Sequence, residues 1–108
     1  MAELYGRTWA KDELRRQVGD MSQLAGIDRV ILDDGFERGT RAALLRTGGG
    51  LEAEVLIDRG LDLGRVWYKG LALAFRTAVG SAHPSLYDAQ GLGWLKTFGG
   101  GLLTTCGL

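Results

Sequence analysis

Residues 51–77 read LEAEVLIDRGLDLGRVWYKGLALAFRT and carry the clearest two-residue period in the chain. Over the first third, acidic residues alternate with an apolar set, which places that set on one face of a half-buried strand: Leu51, Ala53, Val55 and Ile57. Two more extended runs follow, separated by Lys69-Gly70. The whole stretch therefore predicts a β-meander whose first corner, residues 58–64, is charged.

The same periodicity, applied to the rest of the chain, predicts six strands and one short helix. The strands are expected near residues 30–33, 40–47, 51–58, 64–68, 71–76 and 102–106, and the helix near residues 9–18. Thr8 is the expected N-cap of the helix and Gly19 follows its end. Glycine, at 18 of 108 residues, punctuates the short apolar runs. The predicted fold class is all-β and mainly antiparallel, with one short N-terminal helix.

The length allows one domain at most, because 108 residues are close to the usual domain size. Residues 99–108, GGGLLTTCGL, read as an apolar strand with no turn or polar tail after it. Ends of complete domains are more often polar and frayed. Residues 1–108 are therefore expected to form a single, incomplete unit, the N-terminal part of a longer chain.

Charge and composition argue against several classes of partner. The 13 basic and 13 acidic residues balance and form no block, so neither nucleic acid nor a membrane surface is an expected partner. No apolar run approaches the ~20 residues of a membrane span, and no signal peptide is evident, which predicts a cytoplasmic protein. One cysteine and one histidine exclude an intrachain disulfide and a multi-histidine metal site. No cofactor is expected.

Two clusters in the chain suggest a ligand site, and each has a structural alternative. At the corner Asp58-Arg59-Asp62, the arginine is placed either to bind ligand hydroxyls or to hold two strands in register through an ion pair. His83-Pro84 lies in the long connection 78–93, and the histidine suits either an acid–base role or a structural hydrogen bond.

The aromatic and glycine-rich segments also allow two interpretations. Trp94 and Lys96, with Tyr87 nearby, have the composition of a sugar site, although such aromatics also fill cores. Gly48-Gly49-Gly50 predicts a hairpin loop, since a strand pattern and not a helix follows it, which argues against a phosphate cradle. Cys106 suits a buried, inert thiol on a strand better than a nucleophile paired with His83.

Five blocks of the sequence, taken in order, resemble a known family. They are LYGRTW (4–9), RRQVGDMSQLAG (15–26), IDRGLDLG (57–64), HPSLYD (83–88) and GLGWLKTFGGGLLTTCGL (91–108). Together they are similar to the N-terminal part of the aldose 1-epimerase-like proteins of the galactose mutarotase type. More narrowly, they resemble a bacterial branch of that family formerly carried as a domain of unknown function.

The resemblance implies a β-supersandwich in a longer chain, which binds a monosaccharide or sugar derivative and interconverts its anomers by acid–base ring opening. The family's catalytic histidine and glutamate are expected beyond residue 108, and His83-Pro84 does not match the family's His-Gly motif. The chain alone is therefore expected to be inactive. The substrate-binding candidates are Arg59, His83, Trp94, Lys96, Thr105 and Cys106. A non-catalytic carbohydrate-binding protein on the same scaffold and a self-contained structural domain remain alternatives, and an oligomer is compatible with each.

Overall fold

The computed structural model describes residues 2–104, and these fold almost entirely as antiparallel β-structure. The strands are β1 Ala2–Leu4, β2 Arg7–Trp9, β3 Gly26–Ile31, β4 Arg41–Arg46, β5 Leu51–Leu56, β6 Asp62–Tyr68, β7 Leu71–Ala72, β8 Phe75–Arg76 and β9 Gly100–Gly101. They form a five-stranded sheet in the order β3-β4-β5-β6-β7 and two two-stranded sheets, β1-β2 and β8-β9. One short α-helix, α1 Lys11–Arg15, accompanies them. The predicted all-β fold class is confirmed.

The meander is the centre of the fold and its hairpins are as predicted, but β6 begins at Asp62, two residues before the predicted start and inside the predicted corner 58–64. Strands β4, β5, β6 and β7 pair with their sequence neighbours, and residues 47–50 form the hairpin loop between β4 and β5. The charged first corner is a 3-10 turn, Ile57–Arg59, which ends at Gly60 with φ 67°. Because a left-handed conformation is costly for a residue with a Cβ atom, glycine suits this position.

The N-terminal segment differs from the prediction. Residues 2–9 form the β1–β2 hairpin, with Tyr5 and Gly6 in the turn, and the helix occupies only Lys11–Arg15. The expected Thr8 cap is wrong, because Thr8 is paired with Glu3 and the N-cap is Ala10. The Glu13 side chain accepts from the backbone N–H of Ala10, which stabilises the first turn. The N-terminal segment is polar with a thin apolar stripe, and such a sequence is compatible both with the predicted longer helix and with the observed hairpin and short helix.

Three other strand predictions also need correction. The first strand begins earlier, at Gly26, because pairing with β4 extends over its whole length. Residues 71–76 are split between β7, which pairs with β6, and β8, which pairs with β9. Near residues 102–106, the described residues contain β9 and a single bridge between Leu63 and Leu103. A two-residue period indicates extended backbone but does not identify the partner strand.

Pairing register divides the five-stranded sheet into two different faces. One face, called here the apolar face, carries two arginines, Arg29 and Arg41, among apolar side chains: Ile27, Ile31, Ala43, Leu45, Leu51, Ala53, Val55, Leu63, Val66, Tyr68 and Leu71. The opposite face carries more charged side chains, Asp28, Arg46, Glu52, Glu54 and Asp62, among apolar ones: Val30, Ala42, Leu44, Leu56, Trp67 and Ala72.

The buried positions of β5 are unexpected. Its alternation is as predicted, but the apolar residue Leu51 is 41% exposed whereas Glu54 is 0% exposed and Leu56 is buried. Ile57 leaves the strand and lies half-buried in the 3-10 turn. The implied outward position of Glu54 is therefore wrong.

Candidate functional site

A pocket forms where the charged corner between β5 and β6 meets the connection 78–98. Its volume is about 280 Å³. Its lining combines two carboxylates, a guanidinium, a hydroxyl, an aromatic ring and a proline: Asp58, Arg59, Gly60, Asp62, Pro84, Tyr87 and Thr97. We call it the corner pocket. Small-molecule sites commonly begin near 300 Å³, so the corner pocket suits a ligand of monosaccharide size.

Asp58 is held at the edge of the corner pocket by Arg41 at the start of β4. Asp58 Oδ1 accepts from Arg41 Nε at 2.9 Å and from Nη2 at 2.7 Å, and Oδ2 accepts from the Arg41 backbone N–H at 2.8 Å. These hydrogen bonds to Arg41 lower the pKa of the Asp58 carboxyl, and the charges of Arg41 and His83 add to the effect. The ion pair at this corner is thus formed between Asp58 and Arg41 of β4.

Arg59 uses its guanidinium to hold the connection 78–98 against the corner. Nη1 donates to the carbonyl of Ala82 at 2.7 Å and Nη2 donates to the carbonyl of Thr97 at 3.1 Å. Ala82 and Thr97 are both buried. Arg59 therefore lines the corner pocket and also fixes the two ends of the segment that closes it.

His83 lies next to the corner pocket and anchors the same segment. Its backbone N–H donates to the carbonyl of Phe36 at 2.8 Å, and its Nδ1 accepts from the Ser85 backbone N–H at 3.1 Å. The Ser85 hydroxyl lies 2.8 Å from the same nitrogen. This arrangement caps the 3-10 turn Pro84–Leu86 and so positions Pro84 and Tyr87.

The other sequence candidates lie apart from the lining of the corner pocket. Lys96 Nζ donates to Asp88 Oδ2 at 2.9 Å, and Trp94 packs edge-to-face on Phe98 with ring centroids 5.6 Å apart. Between them in sequence, Thr97 does line the pocket. Thr105 and Cys106 lie outside the described residues. Of the candidates, the structure thus brings Arg59 into the corner pocket and His83 beside it.

Two ion pairs that the sequence did not suggest lie beside this region. Glu54 Oε2 accepts from Arg65 Nη2 at 2.6 Å and from Nε at 3.2 Å. Glu37 accepts from Arg76 and from the backbone N–H of Ser81. The partners are eleven or more residues apart, so no local spacing pointed to them.

A second concavity lies at the other end of β5 and β6. It has a volume of about 630 Å³ and is formed by the β1–β2 turn, the Gly48–Gly50 loop and the β6–β7 turn. No sequence signal identified it as a site, since its parts are distant in the chain. Within residues 2–104, no group of three His, Cys, Asp or Glu side chains is arranged to hold a metal ion.

Comparison with known families finds one family model that matches the greater part of this chain. The family described as Domain of unknown function (DUF4432) matches residues 37–108, two thirds of the sequence. The chain belongs to this family. The matched part of this DUF4432 member contains every residue that lines the corner pocket, but it excludes the β1–β2 hairpin, α1 and β3.

Two other comparisons returned nothing. No curated protein and no solved structure matches the chain. Among the described residues, no helix is long and apolar enough to cross a membrane.

Proposed function

We propose that this DUF4432 member contributes a saccharide-binding pocket to a cytoplasmic carbohydrate-processing protein of the aldose 1-epimerase type. The single observation that carries the proposal is the lining of the corner pocket, in which Asp58, Asp62 and Thr97 occur with Tyr87 and Pro84. A sugar needs polar groups that hydrogen-bond its hydroxyl groups and an apolar surface that covers the C–H face of its ring. This lining offers both.

Asp58 retains capacity for a ligand although it is paired. A carboxylate offers about four acceptor positions, and Arg41 uses three of them. Its lowered pKa keeps the carboxylate ionised, which makes it a strong acceptor for a sugar hydroxyl. Arg59 already donates to two backbone carbonyls, so its proposed role is to shape the pocket and supply positive charge at its wall.

The β-supersandwich and the ring-opening chemistry belong to the proposal through the family resemblance. In that chemistry a carboxylate base removes the proton of the anomeric hydroxyl group while a histidine protonates the ring oxygen. We propose that residues 1–108 alone bind sugar without turnover, because the lowered pKa of Asp58 makes its carboxylate a weak base and the histidine and glutamate that the resemblance implies are expected beyond residue 108. The second candidate, a carbohydrate-binding protein without catalysis, rests on the weak basicity of Asp58.

Binding at the corner pocket is testable by titrating galactose and glucose into isotope-labelled protein and following the amide resonances by NMR. We expect saturable shifts at Gly60, Tyr87 and Thr97. Tyr87→Ala should weaken binding by about tenfold or more, since it removes the aromatic wall. Leu86→Ala, an exposed neighbour outside the lining, is the matched control and should bind as the parent does. Sugar shifts that are absent from this pocket, or that persist in Tyr87→Ala, would refute the proposal.

Turnover is a separate measurement. Polarimetry on freshly dissolved galactose should show anomer equilibration no faster than in buffer. Acceleration that disappears in His83→Ala would instead assign an acid–base role to His83.

A further inference from the structure

The concavity at the far end of β5 and β6 has the size and the lining of a second ligand site. We call it the glycine-loop cleft; its lining includes Glu3, Tyr5, Gln23, Tyr68 and Lys69, together with the loop Gly48–Gly50. At about 630 Å³ it is more than twice the volume of the corner pocket and lies within the usual range for small-molecule sites. From this lining, we propose that the glycine-loop cleft binds a neutral disaccharide.

The backbone of the cleft places two long side chains at its rim at a conformational cost. Tyr5 and Lys69 have φ angles of 51° and 48°, and each precedes a glycine that also has a positive φ in a two-residue hairpin turn. Asparagine, aspartate or glycine is the usual choice at the first position of such a turn. Tyrosine and lysine do not favour this turn conformation. We therefore attribute their presence to a role of their side chains in the cleft.

The two tyrosines provide the apolar surfaces that a sugar ring needs. Tyr5 is 85% exposed and Tyr68 is 44% exposed, so neither ring is used to fill a core. Lys69 Nζ lies 5.3 Å from the centroid of the Tyr68 ring, a cation–π contact that holds both side chains at the same rim. Aromatic rings left uncovered beside polar groups are typical of carbohydrate sites.

Glycine in the loop is required by close contacts that shape the cleft. A Cβ atom at Gly50 would lie 2.7 Å from Lys69 Cγ, and a Cβ atom at Gly48 would lie 3.1 Å from the Leu24 carbonyl. The loop therefore lets the aliphatic part of Lys69 and the N-terminal segment approach β5. These contacts explain Gly48 and Gly50 without a bound phosphate; nothing in the structure requires glycine at position 49.

The charges of the cleft favour a neutral ligand. Glu3 and Lys69 contribute one charge of each sign, and Gln23 adds an uncharged amide. The Gln23 Oε1 atom accepts from the backbone N–H groups of Gly19 and Asp20, which fixes the side chain and leaves its NH₂ group as a donor. Acceptors and donors together suit hydroxyl groups, whereas a phosphate would meet the Glu3 carboxylate.

The test uses variants that keep the turns intact. Tyr5→Asn and Lys69→Asn place the residue that such turns prefer, so they remove the ring or the ammonium group without disturbing the backbone. Leu61→Asn is the matched control, because Leu61 also has a positive φ, 64°, but lies outside the cleft. Dispersed amide spectra of all three variants confirm that the fold is kept.

Maltose, lactose and cellobiose are titrated in turn, with inorganic phosphate and AMP as contrasting probes. We expect at least one disaccharide to shift the amide resonances of Gly48–Gly50 and Lys69. Tyr5→Asn and Lys69→Asn should each weaken that binding by about tenfold or more, and Leu61→Asn by less than about twofold. Tyr87→Ala, which removes a wall of the corner pocket, should leave these shifts unchanged.

The opposite results would overturn the proposal. These are no shift in the glycine loop with any disaccharide, shifts that survive both asparagine variants, or binding of phosphate or AMP in preference to the sugars. Because Tyr87→Ala and Tyr5→Asn report on different pockets, failure of the corner-pocket proposal is distinguishable from failure of this one.

Discussion

At the scale of single residues, the most demanding position is the buried Glu54. A buried carboxylate is costly unless it is paired, and Arg65 donates two hydrogen bonds to Glu54 Oε2. The other oxygen, Oε1, is buried and has no hydrogen-bond partner among the described residues. Opposite Glu54, the β5–β6 pairing is interrupted by a bulge between Ala53 and Val55. The bulge allows Arg65 to reach a carboxylate on the neighbouring strand.

Gly64 makes room for this carboxylate, and this can be tested. A Cβ atom at Gly64 would lie 2.7 Å from Glu54 Oε1 and 3.3 Å from Leu56 Cδ1. Gly64→Ala should therefore lower stability by about 1–3 kcal/mol, the usual cost of overpacking. Gly19→Ala is the control, since its Cβ atom would meet only Gln23 Oε1 at 3.5 Å. Urea unfolding of both variants measures the effect; equal midpoints would mean that the Glu54 side chain moves aside freely.

The limits of sequence reasoning are clearest at these residues. Alternation located the strand containing Glu54 correctly, because backbone geometry alone fixes a period of two. It did not reveal that Glu54 is buried, because the partner that makes this tolerable, Arg65, reaches it across a bulge. Likewise, the sequence singled out Arg59 but not its acceptors, the carbonyls of Ala82 and Thr97, which only the fold brings together.

At the scale of elements, strand β4 is joined to the β5–β6 corner by the Arg41–Asp58 pair. Arg41 bonds to Asp58 through both its backbone and its side chain, so the pair fixes where β4 begins relative to the corner. The hairpins of the meander were predictable from their glycines. This cross-link was not, since its partners are 17 residues apart and each has other charged neighbours in sequence.

The lowered pKa of Asp58 makes the contribution of this pair depend on pH. Because hydrogen bonds from Arg41 lower the pKa in the folded state, the stabilisation is complete above the unfolded pKa, about 3.9, and is lost as pH falls through the lower folded value. Thermal melts of the parent and Asp58→Asn should differ near neutral pH and converge in acid. Asp33→Asn, at an exposed ion pair, is the control and should follow the parent at all pH values. A constant difference for Asp58→Asn down to pH 2 would contradict the assignment.

At the scale of the whole molecule, surface is large relative to core. The accessible surface is 7521 Å², compared with about 5,900 Å² expected for a compact protein of 11.7 kDa. Among the described residues the buried apolar side chains are few: Leu14, Ala42, Leu56, Val66 and Ala82. The composition did not predict this, because an apolar fraction of 45% is ordinary and says nothing about how much of it is covered.

The apolar face of the five-stranded sheet is where this surface should matter most. Its edge strand β3 carries Ile27 and Ile31, which are 67% and 68% exposed, and the outer side of β3 has no partner strand within residues 2–104. Exposed apolar area beside an unpaired strand edge promotes pairing between chains. The purified chain should therefore associate with increasing concentration and bind a hydrophobic dye.

Lysine substitutions locate the surface responsible. The double variant Ile27→Lys/Ile31→Lys should shift the chain toward monomer in size-exclusion chromatography with light scattering and reduce dye fluorescence, because charged side chains on an edge strand oppose pairing. Phe36→Lys, which alters a similarly exposed residue, 65%, outside the sheet, should change neither measurement. A parent chain that is already a compact monomer without dye binding would mean that this face is covered in solution. Equal effects of the two sets of substitutions would mean that association is driven by general exposure and not by β3.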